Sequence, residues 1–233
     1  RGVDLRTYLG EPDRVREILR EDMERALDFF ERLIVHAVTR MAERNEEELK
    51  ALGVVLEVPE RPFPRFRQDV ARKMYGRGAE ERLGEETDAP FFWITGLLRE
   101  NYDLVYPYLQ PEGKVALSAL TSEMIYNYDI CAKSIRRDTG KQSPAMEILS
   151  GGIREWIYEA IVERLLDNGV IPARPVIFEG NIKNIDEIGG YGPFLLMASQ
   201  KDREGRRLFP ETFGGGIGVE RALYAVTRGP VLE

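Results

Sequence analysis

The feature that most constrains this chain is a glycine-rich run near its end, at residues 213–223. Four glycines fall within five positions: Gly214, Gly215, Gly216 and Gly218. They lead into a helix-like stretch that carries Arg221 in its first turn. Because glycine has no Cβ, such a backbone can approach a ligand closely, and a helix start adds free N–H groups and a positive dipole end. An arginine there can hold a phosphate through two N–H bonds, so the run predicts a nucleotide site with a phosphate clamp.

Tight packing is the alternative interpretation of the same run, because glycine also occurs where two backbone segments come close together. The run lacks the Gly-Lys-Ser/Thr ending of a P-loop. Its glycine spacing and its late position also differ from the dinucleotide-binding pattern. The two interpretations, a phosphate site of another type and a purely structural turn, therefore stand side by side.

Composition excludes several classes of function for these 233 residues, which fit one domain or a large part of one. A net charge of −7 gives no reason to expect a broad nucleic-acid-binding surface. The single cysteine, Cys131, excludes a disulfide framework, and the single histidine, His36, excludes a histidine cluster for a metal. The sequence has neither an apolar run near 18 residues nor an opening signal peptide, so we expect no membrane partner and a cytosolic location.

Hydrophobic periodicity predicts a long amphipathic helix over residues 13–45 and a short helix over 68–75. Strand-like runs follow at residues 91–97, 115–120, 125–131 and 145–149. Later elements are a helix over 154–168, a helix beginning at 194–197, a strand over 210–217 and the final helix. Neighbouring strands joined by short loops favour an α+β fold, with an antiparallel β-sheet flanked by helices.

Two carboxylates stand inside strand-like runs, Asp129 and Glu147. An acid in such a strand usually faces solvent. If the two strands are neighbours, the acids would face each other and bind Mg²⁺ carried by nucleotide phosphates. Gly151 and Gly152 follow, and Arg154 comes next at a predicted helix start, where it suits a substrate carboxylate. A capped helix with a surface arginine is the alternative for Arg154.

These residues form a pattern that resembles the catalytic domain of class II aminoacyl-tRNA synthetases, in the aspartyl and asparaginyl subgroup. The nearest likeness is to archaeal asparagine synthetases related to asparaginyl-tRNA synthetase. The likeness rests on Glu147-x-x-x-Gly151-Gly152-x-Arg154-Glu155 and on the final glycine-arginine motif. It covers residues 20–228, with further landmarks in order at residues 62–65, 90–94 and 128–130.

The resemblance implies a six- or seven-stranded antiparallel sheet and a reaction between an amino acid and ATP that gives an aminoacyl-adenylate and pyrophosphate. It implies that Asp129 and Glu147 hold the ATP-bound Mg²⁺, that Arg221 holds the γ-phosphate, and that Arg221 and Glu147 are catalytic. The implied ATP-binding residues are Glu147, Gly214, Gly216, Gly218 and Arg221. The implied residues for the amino-acid substrate are Ser150, Gly151, Gly152 and Arg154, and Arg154 would read the side chain of aspartate or asparagine.

The chain departs from the family pattern in three places. The family's first motif is not visible, and only the tail of the second fits, at residues 1–9. The third motif falls at residues 211–228, so residues 1–233 read as the C-terminal portion of one catalytic domain that opens at Arg1 rather than at a methionine. An inserted stretch at residues 133–144 has no counterpart in the family's short hairpin.

The sequence therefore predicts two alternative functions. The first is an ATP-dependent, AMP-forming ligase that activates aspartate, asparagine or a close analogue and passes it to tRNA or to ammonia. The second is a non-catalytic synthetase-like domain that binds a partner or regulates. A homodimer follows from the resemblance in both cases, while tRNA is a possible partner that the sequence does not demonstrate.

Overall fold

The structure is a computed structural model, which describes residues 10–98, 103–110, 113–133 and 145–227. The expected tail of the second motif, residues 1–9, and most of the inserted stretch, residues 134–144, lie outside the described residues. The chain divides into two compact units. The first comprises Arg1–Leu97, Asn127–Gly151 and Gly215–Glu233, and the second comprises Leu98–Tyr126 and Gly152–Gly214. The single catalytic domain expected over residues 1–233 stays a prediction.

The described residues form helices and strands that alternate irregularly along the chain. The helices are α1 (Pro12–Arg44), α2 (Glu46–Ala51), α3 (Gln68–Tyr75), α4 (Ala79–Glu86), α5 (Tyr158–Asp167), α6 (Ile185–Ile188), α7 (Gly192–Ser199) and α8 (Val219–Thr227). The strands are β1 (Arg65–Arg67), β2 (Phe91–Thr95), β3 (Leu109–Gln110), β4 (Gly113–Lys114), β5 (Asn127–Ala132), β6 (Met146–Ile153), β7 (Ile177–Phe178), β8 (Asn181–Ile182) and β9 (Phe213–Ile217). The predicted helices over 13–45 and 68–75 and the final helix are confirmed.

The main sheet has five described strands in the order β1-β2-β5-β6-β9, and it confirms an α+β fold with a central sheet flanked by helices. Strands β2 and β5 are antiparallel, with Ile94 opposite Asp129. Strands β1 and β2 are parallel, which corrects the expectation of a purely antiparallel sheet. The physical reason is the connection, because α3 and α4 lie between these two strands and return the chain in the same direction.

Strand β2 is buried on both faces of the sheet in the first unit. Phe91 and Trp93 join a cluster that includes Phe30 of α1, whereas Phe92 and Ile94 pack with residues of α3 and α4. Side chains alternate between the two faces of a strand, so a strand covered on both sides is apolar at every position. This burial explains the continuous apolar run from Phe91 to Ile94.

Two sequence-based boundaries are wrong. The predicted strand over 115–120 contains a 3₁₀ turn at Leu117–Ala119, where Ala119 N donates to Ala116 O at 2.9 Å. The apolar run is short, and local turn bonds satisfy its backbone in place of a neighbouring strand. The helix predicted from residue 154 begins only at Tyr158, because β6 continues to Ile153.

The second unit is built on α5. Its apolar face, with Ile161 and Leu165, packs with Leu195 and Ala198 of α7 in one buried cluster. Tyr108 belongs to a separate cluster with Val105, and its hydroxyl donates to Asp167 Oδ2 at 2.6 Å. Among the helices of the described ranges, none combines the length and the hydropathy that crossing a bilayer requires.

Candidate functional site

The glycine-rich run forms strand β9 and turns directly into α8, as the sequence predicts. Gly218 N donates to Ile148 O of β6 at 2.9 Å, and Gly218 O accepts from Ala222 N at 2.8 Å. Gly218 therefore joins the sheet to the first turn of the helix. Arg221 lies in that first turn, in the position expected of a phosphate clamp.

Two neighbouring glycines of β9 differ in the space that surrounds them. A Cβ on Gly215 would stand 3.0 Å from Phe30 Cζ and 3.2 Å from Ser150 O, so this glycine packs tightly against α1 and β6. A Cβ on Gly216 would meet no described atom within 4 Å. Because successive residues of a strand face opposite sides, the run combines both interpretations of the sequence: Gly215 is structural and Gly216 borders open space.

This difference predicts different effects for two alanine substitutions. Gly215→Ala should lower the free energy of unfolding by about 1–3 kcal/mol, because its methyl group overpacks against Phe30 and a backbone carbonyl. Gly216→Ala should change that free energy by less than about 0.5 kcal/mol, since its methyl group enters open space. Urea unfolding of the two variants measures the difference, and equal losses would contradict the assigned orientations.

Glu147 and Arg221, two predicted site residues, lie together in the first unit. Arg221 Nη1 is 3.5 Å from Glu147 Oε1 and donates to Glu147 O at 3.2 Å. The side chains remain 58% and 42% exposed. An ion pair that is this long and this exposed contributes little to stability. Both side chains can therefore leave the pair and contact a charged ligand with little loss of folding free energy.

Asp129, the third predicted charged residue, lies in β5, next to β6 in the sheet order. It is only 5% exposed, so the expectation that a strand acid usually faces solvent fails here. Burial raises the pKa of the Cys131 thiol strongly, and the carboxylates of Glu80, Asp129 and Glu147 raise it further. Asp129 and Glu147 themselves lie on β5 and β6, which are neighbours in the sheet.

The chemistry of this donor set fits Mg²⁺, which prefers carboxylate oxygens and completes its shell with water and substrate phosphates. Two carboxylates, Asp129 and Glu147, are suited to an ion that arrives with a nucleotide. A metal site whose ligands all come from the protein would need more groups than these two. The described part of the chain contains no group of three or more His, Cys, Asp or Glu side chains arranged to hold a metal.

Arg154 lies in the second unit, in a place that the sequence did not predict. It follows the end of β6, outside any helix, and its backbone N donates to Thr212 O at 2.8 Å. Its guanidinium forms an ion pair with Asp103. Arg154 keeps 28% of its side chain exposed, whereas Asp103 is 2% exposed. The predicted helix start and the alternative of a surface arginine on a capped helix are both wrong.

The remaining predicted site residues lie on strands β6 and β9. Ser150 is half-buried and Gly151 is buried in the first unit, and both belong to β6. Gly152 is buried in the second unit. Gly214 is half-buried in β9 and also belongs to the second unit.

Asp103 and Arg164 are the charged residues that sequence reasoning missed. Arg164 is 2% exposed, donates to Asp103 O, and lies with its Cζ 5.7 Å from the centre of the Tyr108 ring. Glu155 is also buried and accepts from the backbone N–H groups of Trp156 and Ile157, both at 3.1 Å. Asp103 lies 51 positions before Arg154 in a segment without periodicity, so no local pattern signals the pair.

Three relatives identify the kind of protein that this chain resembles. It is 33% identical over 156 residues to the aspartate–tRNA(Asp) ligase of Thermococcus kodakarensis, covering 65% of this chain and 34% of the relative. It is 42% identical over 152 residues to the aspartate–tRNA(Asp/Asn) ligase of Archaeoglobus fulgidus, covering 65% and 33%. The Methanococcus aeolicus aspartate–tRNA(Asp/Asn) ligase matches at 25% identity over 207 residues, covering 87% and 39%. The chain thus spans about a third of the length of these curated relatives, and no family model matches it.

Solved structures show the same fold. The asparaginyl-tRNA synthetase of Entamoeba histolytica, in complex with asparaginyl-adenylate, has a TM-score of 0.57 at 15% identity and covers 88% of this chain and 41% of that one. The asparaginyl-tRNA synthetase of Pyrococcus horikoshii has a TM-score of 0.56 at 19% identity, covering 88% and 43%. The chain is thus similar in sequence to aspartate–tRNA ligases and in fold to asparaginyl-tRNA synthetases, which confirms the resemblance to the aspartyl and asparaginyl subgroup that the sequence motifs predict.

Proposed function

We propose that this chain takes part in the ATP-dependent activation of aspartate, asparagine or a close analogue. In this reaction the α-carboxylate of the amino acid attacks the α-phosphate of ATP, which yields an aminoacyl-adenylate and releases pyrophosphate. The observation that carries the proposal is the loose, exposed pair of Arg221 and Glu147 at the start of α8, the helix that follows the glycine-rich strand β9. A triphosphate site needs an exposed cation, a carboxylate that can bind a metal and a backbone without side chains.

Arg221 would bind the γ-phosphate, and Gly214, Gly216 and Gly218 would lie under the adenosine. Asp129 and Glu147 would hold Mg²⁺, which supplies positive charge to the phosphate oxygens when it is bound. Chemistry of this type depends on positioning and charge neutralisation more than on covalent help from the protein. The exposed Arg221 and Glu147 suit these tasks because neither is locked into a buried network.

Arg154 would contact the side chain of the amino acid, with Ser150, Gly151 and Gly152 beside it. A guanidinium offers several N–H donors in a plane, so it suits a carboxylate or a carboxamide equally in geometry. Geometry alone therefore leaves both aspartate and asparagine as candidates, and the charge around Arg154 decides between them.

The proposal includes two acceptors for the activated amino acid. The names of the relatives support tRNA, whereas the net charge of −7 favours ammonia, as in a tRNA-free asparagine synthetase. With ammonia as the acceptor, the side-chain carboxylate of aspartate, rather than its α-carboxylate, would attack the α-phosphate, because asparagine carries its amide on the side chain. A homodimer and a cytosolic location complete the proposal. Light scattering of the purified chain would report the assembly, and adding tRNA or ammonia to the activation assay would separate the two acceptors.

Isotope exchange between pyrophosphate and ATP tests the shared first step. We expect exchange with aspartate, asparagine or a close analogue and none with amino acids of other classes. Glu147→Gln should raise the Mg²⁺ concentration needed for half-maximal exchange roughly tenfold or more, because it removes a carboxylate ligand. Glu81→Gln, an exposed acid on α4, is the matched control and should leave the Mg²⁺ curve unchanged. ATP binding without any exchange would instead favour a non-catalytic domain, and an unchanged Mg²⁺ curve in Glu147→Gln would remove the metal assignment.

A further inference from the structure

Asp103 is a buried acid placed directly against the arginine that the proposed function assigns to the amino-acid substrate. We propose that Asp103 is a specificity-determining residue: by neutralising Arg154 it makes the site select a substrate with an uncharged carboxamide side chain over one with a carboxylate. This inference rests on the proposed function, because it takes Arg154 to contact the substrate. It goes further in naming the substrate class, which the names of the aspartate ligases that the chain resembles leave open.

The backbone around Asp103 holds the ion pair in place. Asp103 and Arg154 form an antiparallel bridge, and the next residue, Leu104, donates its N–H to Ile153 O at 2.8 Å. Arg164 of α5 donates to the carbonyl of Asp103 from the other side. Because Asp103 is 2% exposed, its carboxylate has no route into bulk water. The carboxylate is therefore a permanent neighbour of Arg154.

Arg154, Arg164, Asp103 and Glu155 form a cluster of charged residues, and its net charge is zero when both acids are ionised. Two guanidinium groups, Arg154 and Arg164, stand against the carboxylates of Asp103 and Glu155, and the charges of both acids act on Arg164. Burial raises the pKa of Glu155 to about 7, although Arg164 and two backbone N–H groups lower it. The charge of Arg164 favours the ionised form of Glu155, and when both acids are ionised two positive charges meet two negative ones.

A balanced cluster discriminates by charge. A substrate carboxylate would bring a third negative charge next to the buried Asp103, and like charges placed together at a poorly hydrated site repel strongly. A carboxamide avoids this repulsion, because it is uncharged and its oxygen can still accept a hydrogen bond from a guanidinium N–H. The partly exposed guanidinium of Arg154 leaves room for such a contact.

Titration calorimetry of the full chain at pH 8, with saturating ATP, tests the inference. We expect L-asparagine to bind at least about tenfold more tightly than L-aspartate. Asp103→Asn keeps the shape of the side chain and removes its charge, so it should shift the ratio of the two affinities toward aspartate by at least about tenfold. Glu163→Gln is the matched control, because Glu163 pairs with Lys114 at 3.1 Å and with Arg174; it should leave the ratio unchanged.

The outcomes separate this inference from the proposed function. Aspartate binding as tightly as asparagine to the unmodified chain overturns the inference alone. So does a folded Asp103→Asn variant with an unchanged ratio. ATP binding without binding of either amino acid contradicts both the inference and the proposed function. If Asp103→Asn does not fold, the affinity ratio of the unmodified chain at pH 8 decides. Absence of ATP binding by the unmodified chain contradicts the proposed function itself.

Discussion

Arg221→Ala is expected to weaken ATP binding by roughly tenfold to a hundredfold, the usual loss when a hydrogen-bonded charge is removed from a ligand. The same substitution should change the free energy of unfolding by less than about 0.5 kcal/mol. The reason is exposure: the side chain is 58% exposed, and its 3.5 Å contact with Glu147 is typical of ion pairs that add little stability. Calorimetric titration with ATP and Mg²⁺, together with urea unfolding, measures both quantities.

Arg32→Ala provides the matched control for Arg221. Arg32 lies on α1, is 62% exposed, and pairs with Asp28 at 3.0 Å, so it has a similar exposure and a comparable ion pair without a glycine-rich neighbour. Its replacement should leave ATP affinity unchanged. An ATP titration that is the same for Arg221→Ala and the unmodified chain would remove the phosphate clamp, and with it the main support for nucleotide binding at the β9–α8 turn.

Trp93→Ala is expected to cost about 3–5 kcal/mol of unfolding free energy, the range for truncating a large buried side chain. Trp93 is fully buried in β2, and its ring meets Tyr128 edge-on with a centroid distance of 5.6 Å. Its Nε1 donates to Glu31 Oε1 at 2.8 Å. Removing the ring therefore opens a cavity between α1 and the sheet and takes a partner from a buried carboxylate. Urea unfolding followed by circular dichroism measures the loss.

Two further variants separate the contributions of Trp93. Trp93→Phe retains an aromatic ring and loses the Nε1 donor, so it should cost less than Trp93→Ala, and Glu31 would still accept from Phe63 N at 3.2 Å. Phe29→Ala removes an aromatic side chain that is 45% exposed and should cost far less. A loss below about 1 kcal/mol for Trp93→Ala would show that the cluster beneath α1 does not hold the sheet together.

The elements that the sequence predicted well are those whose signal is local. The apolar repeat of α1 needs only the helical period to be recognised, and the glycine-to-helix transition before Arg221 depends on backbone freedom within a few residues. The Glu31 carboxylate shows the limit of this reasoning. It stands in a strongly charged helix, yet it is 1% exposed, and Trp93 and Phe63 donate to it from distant segments.

Local sequence thus determined the long helix, the short helix α3 and the strand-to-helix turn, because hydrophobic period and glycine content act over neighbouring residues. Only the tertiary structure decided the parallel pairing of β1 with β2 and the ion pair between Asp103 and Arg154. It also decided that Gly215 is packed against other segments while Gly216 borders open space. Each of these depends on which distant segments the chain brings into contact. The charge that a partly buried arginine such as Arg154 presents to a ligand is set by such contacts, since a single neighbouring carboxylate can offset it where water is largely excluded.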